Sequence, residues 1–320
     1  MSILFLLLGF IALVAGGEFL VRASVGLSLK LNLSRMIIGL TVVSFATSAP
    51  ELIVSVQSAL NGLSGLAVGN VLGSNIANIG VVLGITALIA PLTMQRDFFK
   101  YSWPWMVFFS FICYGLLKFN NDLSRWEGLI LLSLLSIFLI ILIRRAHKEP
   151  TASSEDTDAV ETGAAKNWSK ILLYLFLGGA ALWLGSVWLV DGAVDIAKRL
   201  NIPESVIAVS MIAIGTSVPE LAASIIAALK KEKALSLGNL VGSNIFNIGS
   251  VLGITALIEP IYIDGNSMRL LNNDIWWMLG FAIILLPLAL LPQRNVISRG
   301  KGAFLIGAYC LFIYLAFHTL

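Results

Sequence analysis

The sequence predicts an all-α polytopic membrane protein with about ten transmembrane helices in two inverted five-helix repeats. Composition is the first reason: 58% of the residues are hydrophobic, only 12% are charged, and the mean hydropathy is +0.91. In soluble domains roughly 25% are charged. The second reason is a duplication. TVVSFATSAPELIVSVQSAL, from Thr41, runs on to LAVGNVLGSNIANIGVVLGITALIAP, ending at Pro91; SMIAIGTSVPELAASIIAAL, from Ser210, runs on to LSLGNLVGSNIFNIGSVLGITALIEP, ending at Pro260. Glu51 and Glu220, Ser74 and Ser243, Asn78 and Asn247, and Pro91 and Pro260 all share one offset of about 169 residues. The third reason is where the basic residues fall.

Crossing about 30 Å of hydrocarbon takes roughly 20 apolar residues. The first such run, near 2 to 28, has no basic residue before it and no cleavage site after Gly16 and Gly17, so it reads as a retained helix and not a signal peptide. Runs near 35 to 60 and 66 to 90 carry the first copy of the motif, and runs near 99 to 119 and 125 to 143 complete the half. The polar, acidic stretch HKEPTASSEDTDAVETGAAKN, 147–167, has the composition of a flexible cytoplasmic linker. The second half repeats the order near 168 to 197, 204 to 229, 234 to 258, 273 to 292 and 300 to 319, with the second motif in its second and third runs. The expected organisation is therefore a first repeat at 1–146 with its motif at 41–91, and a second at 168–320 with its motif at 210–260.

Five helices per half is an odd number, so the second half enters the membrane from the opposite side. With both termini outside, the inside loops gather Lys30, Arg35, Arg96, Lys100, Arg144, Arg145, Lys148, Lys166, Lys170, Lys230, Lys231, Lys233, Arg294, Arg299 and Lys301. The outside loops hold only Lys118, Arg125, Lys198, Arg199 and Arg269. Cytoplasmic loops are the ones enriched in Lys and Arg, and an odd total of helices would spoil this bias. Cys113 and Cys310 lie inside apolar runs and read as packing residues.

The chemistry sits in the duplicated segments. In TSAPE, Thr47 and Ser48 fall one helical turn before Glu51, which puts the three side chains on one helix face. Pro50 and Pro219 have no amide proton and clash with the carbonyl four residues earlier, so the helix is expected to be interrupted beside each carboxylate. In GNVLGSNIANIG, Asn70, Ser74 and Asn78 follow at four-residue steps; Asn239, Ser243 and Asn247 repeat the stripe. Gly69 and Gly73, repeated as Gly238 and Gly242, let another helix approach. Glu51 and Glu220 stand out because a central carboxylate in lipid must be paired, protonated or bound to a cation, and neither motif contains Lys or Arg. Asn75 and Asn244 read as interhelix hydrogen-bonding residues, and Glu18, whose counterpart is Val187, as interfacial or as part of an ion path. An oxygen-rich site without His, Cys or Met suits hard cations such as calcium.

The paired TS-x-PE and GN-x-x-GSNI-x-NIG segments resemble the two alpha repeats of the calcium/cation antiporter superfamily, and most closely its prokaryotic sodium/calcium exchanger branch. The resemblance implies a secondary antiporter, not an enzyme, that exchanges sodium for calcium by alternating access. It implies ion ligands at Glu51, Glu220, Asn78, Asn247, Thr47, Thr216, Ser48, Ser217, Ser74 and Ser243, with backbone carbonyls at Ser44, Thr47, Ala213 and Thr216. The first helix of each repeat, containing Gly16 and Gly17 or Gly185, would slide against the core. The expected partners are calcium and sodium ions and the lipid bilayer, with no cofactor, nucleic acid or protein partner implied. Some relatives have Asp where this chain has Asn247, so two glutamates give the site a charge of −2. One calcium neutralises it, and the family's three sodium ions leave a positive excess, which makes exchange electrogenic. The runner-up reading is a proton-coupled calcium antiporter, against which TS-x-PE weighs. An intramembrane hydrolase using Glu51 and Glu220 as acid and base ranks lower, because the two carboxylates have matching surroundings and acid and base roles need different ones. A passive channel is disfavoured by the inverted repeat.

Overall fold

The computed structural model describes residues 2–95, 97–148, 167–199, 215–263, 265–291 and 294–318. The first half comprises α1 (Ser2–Leu31), α2 (Arg35–Thr47) with α3 (Ala49–Leu60), α4 (Ser64–Ile89), α5 (Trp103–Asn120) and α6 (Arg125–Lys148). The second comprises α7 (Trp168–Arg199), α8 (Val218–Leu229), α9 (Lys233–Ile258), α10 (Leu270–Leu290) and α11 (Arg299–His318). Among the described residues seven helices are long and apolar enough to cross a membrane, and eight if α2 and α3, bent by 44° at their junction, count as one span. The shorter α5 and α8 bring the helical segments to five in each half. Most of the proposed linker, and Ala213, lie outside the described residues.

The halves are related by a two-fold exchange, because contacts recur with the repeats swapped. The two-residue strand β1 (Leu92–Thr93), after α4, pairs antiparallel with β4 (Val296–Ile297), before α11. Reciprocally, β3 (Ile261–Tyr262), after α9, pairs with β2 (Asp122–Leu123), before α6. Likewise α11 packs along the end of α4 as α6 packs along the end of α9. Ser124 and Glu127 start α6 as a reciprocal cap: the Ser124 amide donates to Glu127 Oε2 at 2.7 Å, and the Glu127 amide donates to Ser124 Oγ at 3.4 Å.

Burial separates core from rim. The polar helices α4 and α9 are the most enclosed, whereas Ile3, Phe10, Phe119, Trp126, Phe176 and Tyr314 are among the large apolar side chains left on the outside. So much exposed apolar surface suits lipid and not water. At the rim α1 and α7 lie against each other along their length. A Cβ on Gly16 would come 2.8 Å from the Leu182 nitrogen, and one on Gly178 2.9 Å from the Leu20 nitrogen, so only glycine permits this backbone approach. Cys113 is buried, Cys310 faces outward, and both are free.

Candidate functional site

The site is assembled where α2 ends and α3 begins. Without an amide proton on Pro50 the helix cannot run on unchanged; it breaks at Ser48 (φ −84°, ψ 7°), and Pro50 enters the first turn of α3. The second copy breaks at Ser217 (φ −87°, ψ 2°) with Pro219 in the first turn of α8. Glu51 and Glu220 therefore each occupy the first turn of a helix that begins inside the protein, where the amide dipoles favour negative charge. Facing them, α4 and α9 each contain a π-helical turn that starts at the predicted ligand, over Asn78–Leu83 and Asn247–Leu252. Such turns concentrate at functional sites. The Asn247 turn packs on α3 and the Asn78 turn on α8, so each asparagine's turn lies against the helix that follows the other repeat's break.

Hydrogen bonds hold these elements in crossed pairs. Thr47 Oγ1 donates to Asn239 Oδ1 at 3.2 Å and lies 3.4 Å from Ser243 Oγ. In the mirror arrangement Thr216 Oγ1 donates to Asn70 Oδ1 at 3.2 Å and lies 3.2 Å from Ser74 Oγ. Asn70 and Asn239 donate at 3.0 Å to Ser55 and Ser224, and Asn70 also reaches the Glu51 carbonyl at 3.2 Å. Asn78 donates to Asn244 Oδ1 at 3.2 Å and Asn247 to Asn75 Oδ1 at 3.1 Å. Each bond uses one donor and one acceptor, but the two carboxylates bring acceptors only, so acceptors are left over.

Five of those acceptors are buried without a hydrogen-bond partner: both carboxylate oxygens of Glu51, Glu220 Oε2, Asn78 Oδ1 and Asn247 Oδ1. All four side chains are fully enclosed. A buried carboxylate without a counter-charge costs several kcal/mol. Among the described residues no lysine or arginine pairs with either glutamate, so a bound cation or a proton is what can offset the charge.

Thr47, Thr216, Ser48, Ser74, Ser217 and Ser243 are all buried. The expected sharing of one helix face by Thr47, Ser48 and Glu51 does not survive the bend. Ser48 donates across the interface to Glu220 Oε1 at 3.2 Å, and Thr47 turns to α9. The Ser44 carbonyl accepts the Ser48 amide at 2.9 Å, while its hydroxyl lies within 2.9 Å of both the Gly39 and Asn239 carbonyls and ties α2 to α9. Gly238 and Gly242 permit this crossing, since a Cβ on either would strike α2. Ser55 and Ser224 were missed by the motif reading, although each stands four residues after its glutamate. Met106 and Met278, which meet Asn244 and Asn75, had no signal because they lie outside the repeated segments. Glu18 is not at the centre; it pairs with Arg22 at 2.5 Å and with Lys230 at 2.7 Å.

Comparison with known proteins gives the family and the fold. A family model described as sodium/calcium exchanger protein matches residues 1–144 and 170–318. The inner membrane protein YrbG of Escherichia coli is 34% identical over 317 residues, covering 98% of this chain and 95% of that protein. The sodium/calcium exchanger MaX1 of Methanosarcina acetivorans is 29% identical over 355 residues, with 99% of each covered. Among solved structures, the sodium-calcium exchanger NCX_Mj soaked with sodium and calcium ions superposes with a TM-score of 0.79 at 28% identity, covering 98% of this chain and 97% of that one.

Proposed function

The chain belongs to the sodium/calcium exchanger family, and from that premise we propose that this membrane antiporter exchanges sodium for calcium by alternating access. One observation carries the choice of ion: the five unpartnered oxygens, drawn from Glu51, Glu220, Asn78 and Asn247, supply carboxylate and amide ligands and no nitrogen, sulfur or imidazole. Calcium takes 6 to 8 oxygens at roughly 2.3 to 2.6 Å, and the hydroxyls of Thr47, Ser48, Ser74, Thr216, Ser217 and Ser243, with a backbone oxygen near each break, complete such a shell in this reading. Ala213 would mirror Ser44 as a backbone contributor.

Charge decides the energetics. Two ionised glutamates are neutralised by one calcium ion, whereas three sodium ions leave one net positive charge. Moving that charge across the membrane is worth about 2.3 kcal/mol per 100 mV, so the sodium-loaded step should feel the potential. The test is uptake of radiolabelled calcium by purified protein in liposomes under an imposed sodium gradient, with a pH gradient as the comparison arm. Uphill uptake driven by sodium, and accelerated by a potential of the appropriate sign, is the expected result. Uptake that follows the pH gradient and ignores sodium would replace this reading with proton-coupled antiport.

A further inference from the structure

Asn78 and Asn247 can serve a cation only if the correct end of each side chain faces it. A primary amide presents either an oxygen, which binds a cation, or an NH2 group, which repels it, and the two ends have nearly the same size. What fixes the choice is the partner of the NH2 group. Here that partner is in the opposite repeat: Asn247 Nδ2 donates to Asn75 Oδ1 at 3.1 Å, and Asn78 Nδ2 donates to Asn244 Oδ1 at 3.2 Å. The oxygen at the other end of each amide is buried and unpartnered.

We propose that Asn75 and Asn244 are positioning residues, each holding the amide of the other repeat's ligand so that only its oxygen faces the ion. The proposal rests on the cation-site reading above and deepens it. It requires that Asn75 and Asn244 cannot themselves turn round, and the structure supplies the reason. Asn75 Nδ2 is directed at the Asn244 carbonyl, at 3.4 Å, and at Met278 Sδ, at 3.7 Å; Asn244 Nδ2 is directed at Met106 Sδ, at 3.5 Å. A thioether accepts and cannot donate. Reversing either amide would set NH2 against NH2 on one side and oxygen against sulfur on the other, in a region where both asparagines are about 2% exposed. The order of command therefore runs from Met278 in α10 through Asn75 in α4 to Asn247 in α9, and from Met106 in α5 through Asn244 in α9 to Asn78 in α4.

An orienting role makes a prediction that a packing role does not. A carboxylate has two equivalent oxygens and needs no orienting, so the requirement for Asn75 should vanish when position 247 is Asp. Calcium and sodium binding are measured on detergent-purified protein by calorimetry, with size-exclusion profiles confirming the fold. Asn75→Leu, of the same branched shape, should weaken calcium binding about tenfold, equivalent to about 1.4 kcal/mol. In an Asn247→Asp background the same Asn75→Leu change should cost less than about twofold. Equal losses in the two backgrounds, or full affinity in Asn75→Leu, overturn the proposal. If Asn75→Leu does not fold, Asn244→Leu with and without Asn78→Asp makes the same comparison in the other repeat. Binding is independent of the coupling ion, so a wild type that binds calcium but ignores a sodium gradient would sink the exchange reading and leave the amide argument standing. A wild type that binds neither ion would overturn both.

Discussion

The polar centre and the α1–α7 pair are built on opposite plans. In α4 and α9, 72% and 83% of the most apolar stretch is buried in protein; in α1 and α7 the share is 28% in each. The centre is fastened by directional bonds between hydroxyls, amides and a carboxylate, more than half of them made reciprocally between the repeats. The rim pair is fastened along its length by glycine-to-backbone contact, which has shape and no direction, with a hydrogen bond from Ser2 to Asp195 and the Phe19–Tyr174 ring contact added to it. Its other attachments include Gly17 against Ile226, the Glu18–Lys230 pair, and Arg35, which donates to the Val25 carbonyl at 2.6 Å. A directional network fixes where ligand atoms stand, whereas a smooth seam lets two helices travel as one body. In alternating access the first would hold the ion while the second moves past it.

The largest effect should come from removing charge at the centre. Glu51→Gln and Glu220→Gln each take away half of the fixed charge and an anionic ligand, and each should abolish calcium transport while leaving a folded protein. Transport in proteoliposomes and the size-exclusion profile are the two readouts. Normal exchange by either variant would show that the centre is not the ion site. Gly178→Val attacks the other region. Its branched side chain would meet the Leu20 backbone nitrogen, since even a Cβ would lie 2.9 Å from it, so the seam must open. The transport rate should fall at least tenfold while calcium affinity stays within about threefold, 1.4 kcal/mol being the tenfold mark. A fall in affinity as large as the fall in rate would erase the distinction between the two regions.

Much of the centre could be read from the sequence because it is written twice. Apolar runs and the repeated GSN and PE segments are local patterns, and they located the helical segments seen among the described residues and the stretches around the two glutamates. What they could not convey is partnership across the interface. Ser48 stands three residues from Glu51 yet bonds to Glu220, and Thr47 bonds to Asn239, because the bend at Ser48 turns both away from the face that unbroken helical spacing assigns. Asn75 was read as a helix-packing residue, and its contact with the Asn247 amide joins positions in different repeats with no fixed local spacing. The rim was less legible still. Glycines at Gly16 and Gly178 are visible in the sequence, but nothing local says that they face each other.

A smaller change at the centre concerns its charge. Asn247→Asp supplies a third carboxylate in place of an amide oxygen, which adds an anionic ligand for calcium and one more group for which protons compete. The variant should retain at least part of its exchange activity and lose it more steeply than wild type as the pH falls. The sign follows from competition: protonation removes the charge that binds calcium, and three sites offer more to protonate than two. Rates measured across pH 6 to 8, roughly, test this. A profile superimposable on wild type would mean that position 247 does not share the field of Glu51 and Glu220.

The smallest effect should come from the link between the two regions. Glu18 on α1 meets Lys230, just beyond α8, at 2.7 Å, with both side chains about a quarter exposed. The equivalent of Glu18 in the second repeat is Val187, so no matching pair exists on that side of the exchange. A partly exposed ion pair contributes about 0 to 1 kcal/mol. That is too little to create or abolish transport, but enough to shift a balance between two access states by up to about fivefold. Glu18→Gln should therefore leave the calcium site unaltered in binding assays and change the ratio of half-saturating calcium concentrations on the two membrane faces by about two- to fivefold. The shift should shrink as ionic strength rises, because salt already screens the wild-type pair. A ratio equal to wild type at low salt would show that this contact only packs α1 and does not couple the moving rim to the fixed centre.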